Sequence, residues 1–281
     1  MGVTLPAFAP AQESLFLTLG GRARDSLLPR PFLGDTMAAD VLRATGYDLA
    51  TFPPFRSESG DQRTKVFDIA VRAKRLDEVV RQFVAGHPDA VVLDLGAGLD
   101  TRMFRVDPPS TVDWYDIDFP EIIGIREQVV PRRANAHGIG AVLTDPDWLA
   151  GVPTDRPAVV VADGLIPFIA QPALVALLNR LTGHFPGGEL ATNSYTTLAV
   201  WTVKHVAAFA AIAGDVVNPG FNDPHAPESW VPGLELVEEI YLTRAPELVD
   251  MPLGARLAAR MCAPSRTLSR TLGTTLLRYR F

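Results

Sequence analysis

The sequence predicts an α/β fold built on a doubly wound sheet of seven strands. Seven short apolar runs alternate with segments of helical periodicity, as expected of parallel strands joined by helices. One of these runs leads directly into Gly96-Ala97-Gly98, and an acidic pair, Asp116 and Asp118, follows about 20 residues later. This combination couples a buried strand to a turn that can approach a nucleoside.

The length and composition fit one main domain with an added cap. The chain has 281 residues, of which 47% are hydrophobic, enough to build one α/β core. Residues 1–62 are rich in Pro and Gly, and Phe52-Pro53-Pro54-Phe55 cannot continue a helix. We therefore predict a cap segment with short helices over residues 1–62 and the α/β core over residues 63–281.

The core begins with a predicted helix over residues 64–85. Ile69, Leu76, Val79 and Phe83 recur at spacings of three and four, and Gly86 follows as a helix terminator. The predicted strands are residues 90–95, 111–117, 141–143, 158–162, 189–192, 235–242 and 274–281. The first five are predicted to be parallel strands joined by helices.

The glycine turn favours a cofactor without phosphates. Gly96 and Gly98 allow positive φ angles and a close approach of the backbone to a ligand, although an ordinary strand-to-loop transition is the alternative. The dinucleotide fingerprint needs a third glycine, where this chain has Thr101. Asp100 beside it is expected to repel a pyrophosphate. The turn therefore favours S-adenosylmethionine over a nicotinamide cofactor.

Several segments resemble one enzyme family. Residues 95–102 (Leu-Gly-Ala-Gly-Leu-Asp-Thr-Arg), followed by Phe104-Arg105, are similar to the first motif of the leucine carboxyl methyltransferase and tetracenomycin-type polyketide O-methyltransferase family. Residues 13–26, 34–39 and 46–48 resemble the opening segments of that family, so the resemblance covers most of residues 12–170.

The resemblance implies a class I methyltransferase with a Rossmann-like sheet, in which the last two strands form an antiparallel hairpin. It also implies an S-adenosylmethionine-dependent O-methyltransferase that acts on a small-molecule carboxylate or phenol, in polyketide-like secondary metabolism. The alternatives are a nicotinamide-dependent oxidoreductase and a catalytically degenerate protein that binds the cofactor without turnover.

Arg72 lies on the apolar face of the first core helix, where a charged side chain needs a partner. A salt bridge is one interpretation. The resemblance implies another, in which this arginine, followed by an aspartate that matches Asp77, binds the methionine carboxylate of the cofactor.

Asp116 and Asp118 alternate on the same side of the second strand, so both can face the ligand. One of them is expected to accept hydrogen bonds from the ribose hydroxyls. The resemblance implies that Asp118 is the sugar ligand and that Asp116 belongs to the cofactor site beside it or behind it. Two exposed loop carboxylates are the alternative.

The resemblance also indicates the remaining cofactor ligands. They are Asp94, Gly96, Ala97 and Gly98 at the first strand, Leu143 and Asp145 on the adenine side, and Asp163 and Gly164 after the fourth strand. Three positions depart from the family pattern. Val142 cannot accept a hydrogen bond from the adenine amino group, so Asp145 or the backbone must do so. Asp163 replaces a Glu, and Phe168 lacks the usual Tyr hydroxyl.

The sequence identifies no catalytic base. A carboxylate acceptor needs none at pH 7, whereas a phenol benefits from one, and His184, His205 and Tyr195 are available by residue type alone. Trp148 is expected to be a core residue rather than a platform for the cofactor.

Composition excludes other classes of partner. A net charge of −6 argues against a nucleic-acid surface, and the single cysteine, Cys262, with no Cys/His cluster at zinc spacing, argues against a structural metal. No apolar run is long enough to span a membrane without interruption. We expect a cytoplasmic enzyme with a small-molecule substrate; the sequence carries no signal for its oligomeric state.

Overall fold

Seven strands form one sheet with the order β3-β2-β1-β4-β5-β7-β6. The computed structural model describes residues 10–51, 62–206 and 212–281. Strands β1 to β5 are parallel, and β7 runs antiparallel to both β5 and β6. The strands are β1 Val91–Leu95, β2 Asp113–Asp118, β3 Ala136–Gly140, β4 Ala158–Ala162, β5 Gly188–Asn193, β6 Glu235–Tyr241 and β7 Thr275–Arg280. The predicted doubly wound α/β sheet is confirmed.

The helices cover both faces of this sheet. They are α1 Pro10–Ser26, α2 Ala38–Thr45, α3 Gln62–Gly86, α4 Arg102–Val106, α5 Pro120–Val129, α6 Gln171–His184, α7 Thr197–His205, α8 Ala226–Trp230, α9 Leu253–Cys262 and α10 Arg266–Leu272. On one face, the buried stripe of α3 packs in the same core cluster as β1 and β4. On the other face, α6 contributes its buried leucines to a second cluster.

The strand register aligns the ends of the three central strands. Leu95, the last residue of β1, pairs with Ile117 of β2 on one side and with Ala162 of β4 on the other. The residues that follow each strand end therefore meet at one edge of the sheet, which is where α/β folds bind ligands.

Helix α1 packs against both α2 and α3 near this edge. Phe16 of α1 is fully buried, and its ring stacks on that of Tyr47 with a centroid distance of 3.7 Å. The N-terminal part of the predicted cap and Phe52-Pro53-Pro54-Phe55 lie outside the described residues.

The third strand occupies residues 136–140, so the prediction of residues 141–143 is wrong. Its sequence, Ala-His-Gly-Ile-Gly, has low β-propensity, and the strand forms because β2 pairs along its whole length. The glycine at the end is needed for packing, since a Cβ on Gly140 would lie 2.8 Å from the Cα of Pro120.

The C-terminal strands are antiparallel neighbours, as the resemblance implied, but they are not joined by a hairpin turn. Helices α9 and α10 lie between them in the chain. Among the described residues, no helix has both the length and the apolar character needed to cross a bilayer.

Candidate active site

A cavity of about 920 Å³ lies at the carboxyl edge of the sheet. Small-molecule sites occupy about 300–1,000 Å³, so this cavity has room for a cofactor together with a second molecule. The described lining contains six Asp and three Arg but no His, Lys or Cys. The cavity is therefore acidic, and its described lining offers carboxylates and one tyrosine, but no imidazole, amine or thiol, as proton acceptors.

The glycine turn after β1 forms one wall of the cavity. Gly96 and Gly98 have φ angles of 66° and 50°, which L side chains rarely adopt. A Cβ on Gly98 would lie 3.3 Å from the Cβ of Leu15 in α1. Gly96, Ala97 and Gly98 all line the cavity, where the sequence predicted them.

Asp118 lies at the end of β2 and lines the cavity beside this turn. Its carboxylate accepts the backbone N–H groups of Gly98 and Phe119, both at 2.7 Å. Burial raises the pKa of Asp118, although these two N–H donors oppose that shift. A carboxylate has about four acceptor positions, so it can still accept hydrogen bonds from two ligand hydroxyls.

Asp116 is not among the described residues that line the cavity, so of the two places expected for it, beside or behind the cofactor site, the structure favours the one behind. It accepts hydrogen bonds from the indole Nε1 of Trp114 at 3.0 Å and from Nε of Arg126 at 3.0 Å. The second contact to Arg126, from Nη2, measures 2.7 Å. Because Asp116 is two residues deeper in β2 than Asp118, it lies behind the turn rather than at the cavity surface.

Arg72 of α3 lines the cavity and bridges two carboxylates. Nη1 contacts Asp68 at 2.9 Å, and Nε contacts Asp163 at 2.5 Å. Burial alone would lower the pKa of Arg72, but Asp163 and Asp68 outweigh burial and raise it. The structure thus contains the salt bridge that the sequence left open as an alternative. Nη2 has no hydrogen bond to any described residue, so it can bind a ligand carboxylate.

Asp163 and Gly164 follow β4, and both line the cavity. Asn193 of β5 supports both of them. Its Oδ1 accepts the N–H of Gly164 at 2.8 Å, and its Nδ2 donates to Asp163 at 3.3 Å. Sequence reasoning assigned no role to Asn193, because the contact joins two strands that are 30 residues apart.

A buried group of charges lies beneath the turn, and Asp94 and Asp100 of this group also line the cavity. Nε of Arg102 donates to Asp94, and Nη1 donates to Asp77, both at 2.9 Å. Burial raises the pKa of Asp94 to about 7, against the opposing effect of Arg102. Asp77 also accepts a hydrogen bond from Nε of Arg105 at 2.7 Å. This aspartate therefore binds both arginines of the motif.

Asp100 does not act as the sequence predicted. Its carboxylate contacts Arg105 at 2.6 Å, Arg102 at 3.3 Å and Arg22 of α1 at 3.4 Å. Burial alone would raise its pKa, but the three guanidinium groups hold the pKa of Asp100 well below its ordinary value. The expected repulsion of a pyrophosphate is therefore not supported, because the charge of Asp100 is already paired.

The same group of charges joins the N-terminal segment to the core. Asp35, between α1 and α2, is almost completely buried and contacts Arg105 at 2.8 Å and Arg22 at 3.5 Å. It also accepts the hydroxyl of Thr101 at 2.8 Å. Thr101, which replaces the third glycine of the dinucleotide fingerprint, is thus a contact between the turn and the N-terminal segment.

The predicted adenine side is formed by Ala141, Val142 and Leu143, which line the cavity. The carbonyl oxygen of Leu143 accepts hydrogen bonds from Trp148 Nε1 at 3.2 Å and from Arg180 Nη2 at 2.8 Å. Trp148 is buried in the core, as expected. Asp145 is exposed, is not part of the described lining and accepts the N–H of Asp147, so an adenine contact from the backbone is favoured over Asp145.

The rest of the described cavity lining is mostly apolar. Tyr195 lies there near Arg72 and Asp163, and burial raises the pKa of Tyr195 to about 12. His184 and His205 bond to backbone carbonyl groups and are not among the described lining residues. The apolar lining residues include Leu17, Phe168, Val203, Ile212 and Val217.

Comparisons with known proteins agree on one family. The family model of leucine carboxyl methyltransferase matches residues 16–182. The chain is 38% identical over 252 residues to the tetracenomycin polyketide synthesis O-methyltransferase TcmP of Streptomyces glaucescens, with 89% of each chain covered. It is 32% identical over 249 residues to the S-adenosyl-L-methionine-dependent methyltransferase dpfgK of Gibberella zeae, with 83% of this chain and 82% of the relative covered.

A solved structure of mycolic acid cyclopropane synthase CmaA1, complexed with SAH and CTAB, shares the fold. The TM-score is 0.52 at 13% sequence identity, and the match covers 99% of this chain and 98% of the other.

Proposed function

The chain belongs to the leucine carboxyl methyltransferase family, and on that premise we propose that its cavity holds an apolar acceptor and directs methyl transfer to a carboxylate or phenol oxygen of it. The protein is an S-adenosylmethionine-dependent O-methyltransferase, as the sequence predicted. These relatives give no support to the alternative of a nicotinamide-dependent oxidoreductase. The observation that carries the proposal is the placement of Arg72, the glycine turn and Asp118 around one cavity.

The described residues fit S-adenosylmethionine at each of its polar groups. We assign the ribose hydroxyls to Asp118, which has free acceptor positions, and the methionine carboxylate to Nη2 of Arg72. Asp163 and the turn backbone lie beside Arg72 and suit the amino group. The adenine ring then lies against Val142 and Leu143. The carbonyl oxygen of Leu143 already accepts two hydrogen bonds, so we assign the adenine amino group to the carbonyl oxygen of Val142, which accepts the N–H of Asp145 and keeps one lone pair.

The charge of the lining suits a cationic cofactor. When bound, S-adenosylmethionine supplies an electrophilic methyl group on a positively charged sulfonium. The described lining has twice as many Asp as Arg residues, and a low-dielectric wall strengthens the attraction between unlike charges. Asp68 and Asp163 hold the Arg72 guanidinium in place, so it presents its remaining N–H groups without a large loss of side-chain entropy.

At the other end, the protein's contribution is positioning and exclusion of water. Methyl transfer is an in-line attack, and alignment of the acceptor oxygen in a dry pocket can provide most of the acceleration. Tyr195 stays protonated at neutral pH and can donate a hydrogen bond to the acceptor, but it cannot serve as a base there. A carboxylate or an acidic phenol fits these conditions, because it arrives already ionised.

The Streptomyces relative acts in tetracenomycin polyketide synthesis, according to its name. For this chain we propose an acceptor of the same general kind, a fused aromatic acid with an apolar body. Phe168, Val203 and Ile212 can enclose such a body, while Tyr195 contacts an oxygen at its edge.

The test uses 3-hydroxy-2-naphthoic acid, which carries a carboxyl and a phenol on one fused ring system. The purified protein is incubated with this acid and methyl-labelled S-adenosylmethionine, and labelled products are treated with alkali. An alkali-labile ester or an alkali-stable ether shows which oxygen accepts the methyl group. The control variant is Arg278→Lys, because the pair of Arg278 with Glu189 lies outside the described lining and should leave transfer intact.

Two results would each contradict one part of the proposed function. Calorimetry that detects no binding of S-adenosylmethionine would contradict the site assignment. Binding without methylation of this acid would contradict the proposed acceptor class and leave the cofactor assignment standing.

A further inference from the structure

Arg126 contacts the backbone of the glycine turn. It lies on α5, and its side chain is only 7% exposed. Its Nη1 donates to the carbonyl oxygen of Gly98 at 3.2 Å and to that of Asp100 at 2.5 Å. Arg126 is not among the described lining residues, so a bound cofactor does not explain its position.

Asp116 fixes the other edge of this guanidinium group. It contacts Nε and Nη2 of Arg126 together, and the indole of Trp114 donates to its second oxygen. A planar guanidinium held along two edges has little freedom to rotate. A continuous set of contacts therefore runs from the indole in β2, through the carboxylate and the guanidinium, to the backbone of the turn.

Gly98 is consequently held at both of its backbone polar groups. Asp118 accepts its N–H, and Arg126 donates to its carbonyl oxygen. Glycine has more conformational freedom than any other residue, so a turn with two glycines loses more entropy when it adopts one shape. Fixed partners on both sides restrict that freedom before the ligand arrives.

We propose that Asp116 and Arg126 form a positioning pair, which holds the turn after β1 in the shape that binds the cofactor without touching the cofactor. This inference rests on the proposed cofactor site. It gives Asp116 a function behind the cofactor site, which is one of the two places that the sequence left open for it. Without the pair, the turn occupies other conformations, and the apparent dissociation constant rises in inverse proportion to the fraction of competent turns.

The test compares two ligands that differ in the part recognised by Arg72. S-adenosylhomocysteine carries a carboxylate and an amino group, whereas 5′-methylthioadenosine lacks both. If Arg126→Lys reduces the competent fraction to about a tenth, the dissociation constants of both ligands rise about tenfold and their ratio is unchanged. Arg72→Ala, in contrast, is expected to weaken only S-adenosylhomocysteine.

A matched control separates positioning from general stability. Arg278→Lys disrupts another largely buried arginine pair, with Glu189, in which the two side chains are 18% and 8% exposed. Its melting temperature should fall, and the affinity for both ligands should stay at the wild-type value.

Asp116→Asn is the second variant, because it keeps the shape of the side chain and one acceptor oxygen for Arg126. We expect a smaller loss of affinity than in Arg126→Lys, with the ratio of the two ligands again unchanged.

Three results would overturn the proposal. They are wild-type affinity in folded Arg126→Lys, a loss confined to S-adenosylhomocysteine, and an equal loss of affinity in Arg278→Lys. Should Arg126→Lys fail to fold, wild-type affinity in Asp116→Asn would decide against the pair. If the wild-type protein binds neither ligand, the proposed cofactor site fails, and this inference fails with it.

Discussion

Replacing Arg72 by alanine gives the most direct test of how the cavity recognises the cofactor. The substitution removes the two ion pairs with Asp68 and Asp163 as well as the Nη2 group that faces no described partner. It therefore deletes the only contact that we assign to the methionine carboxylate. Ligands without that carboxylate should be almost indifferent to the change.

The magnitude follows from the contacts that are lost. A hydrogen bond to a charged group contributes about 1.5–3 kcal/mol, and each 1.4 kcal/mol is about tenfold in affinity. One such contact from Nη2 predicts a rise of about 10–150-fold in the dissociation constant of S-adenosylhomocysteine. For 5′-methylthioadenosine we expect less than about threefold, because only secondary changes of the cavity remain. Arg72→Lys should lie between, since it keeps the charge and loses the planar fork.

The assay is titration calorimetry of both ligands with the wild-type protein, Arg72→Ala and Arg72→Lys at the same pH and salt concentration. Equal weakening of both ligands would show that Arg72 shapes the cavity through Asp68 and Asp163 rather than binding the carboxylate. Unchanged affinity for S-adenosylhomocysteine would refute the assignment of Arg72 altogether.

Three other perturbations have defined outcomes. Asp118→Asn should weaken S-adenosylhomocysteine by about 5–150-fold in calorimetry, because about 1–3 kcal/mol of hydrogen bonding to the ribose is lost; an unchanged constant would remove Asp118 as the sugar ligand. Tyr195→Phe should raise the KM for the acceptor and leave the shape of the pH profile of kcat/KM unchanged. Burial raises the pKa of Tyr195 to about 12, so its phenol is protonated at neutral pH and acts as a hydrogen-bond donor and not as a base. The loss of an ionisation from the profile of the variant would contradict this role. Burial also raises the pKa of Asp94 to about 7, so the folded state binds a proton at Asp94 more tightly than the unfolded state does. The stabilisation that this proton provides is lost as the pH rises from about 4 through 7. We therefore expect the free energy of unfolding, measured by urea denaturation, to fall less between about pH 5 and pH 8 in Asp94→Asn than in the wild type. Equal falls in the two proteins would refute the raised pKa of Asp94.

The parts of the fold that the sequence predicted are those whose signal is local. The strand at residues 158–162 is a continuous apolar run with three valines at its centre, it is buried on both faces, and its predicted bounds coincide with β4. The strand at residues 136–140 has no such signal, because its pairing with β2 and the close contact of Gly140 with Pro120 are properties of the folded state.

The site shows the same division. Periodicity places Arg72 on the apolar face of its helix and Asp118 at the end of its strand, the resemblance implied their roles at the cofactor, and both residues line the cavity. The placement of Asp116 depends on Arg126, and the pairing of Asp100 depends on Arg22, which is 78 residues away in the chain. A charge can be read from sequence, but its neutralisation by a distant partner cannot.

The contacts of Asp35 with Arg105 and of Arg22 with Asp100 limit how this protein can be re-engineered. The N-terminal helices look like an exchangeable module for altering acceptor preference, since they contribute Leu15 and Leu17 to the cavity. A chimera that replaces them with unrelated helices would leave Arg105 short of one carboxylate and Asp100 short of one guanidinium, both inside the protein. Any transplanted segment must therefore carry an acid and a base at the positions of Asp35 and Arg22. In such a scaffold, the range of acceptors can evolve only through surface changes that leave these two residues in place.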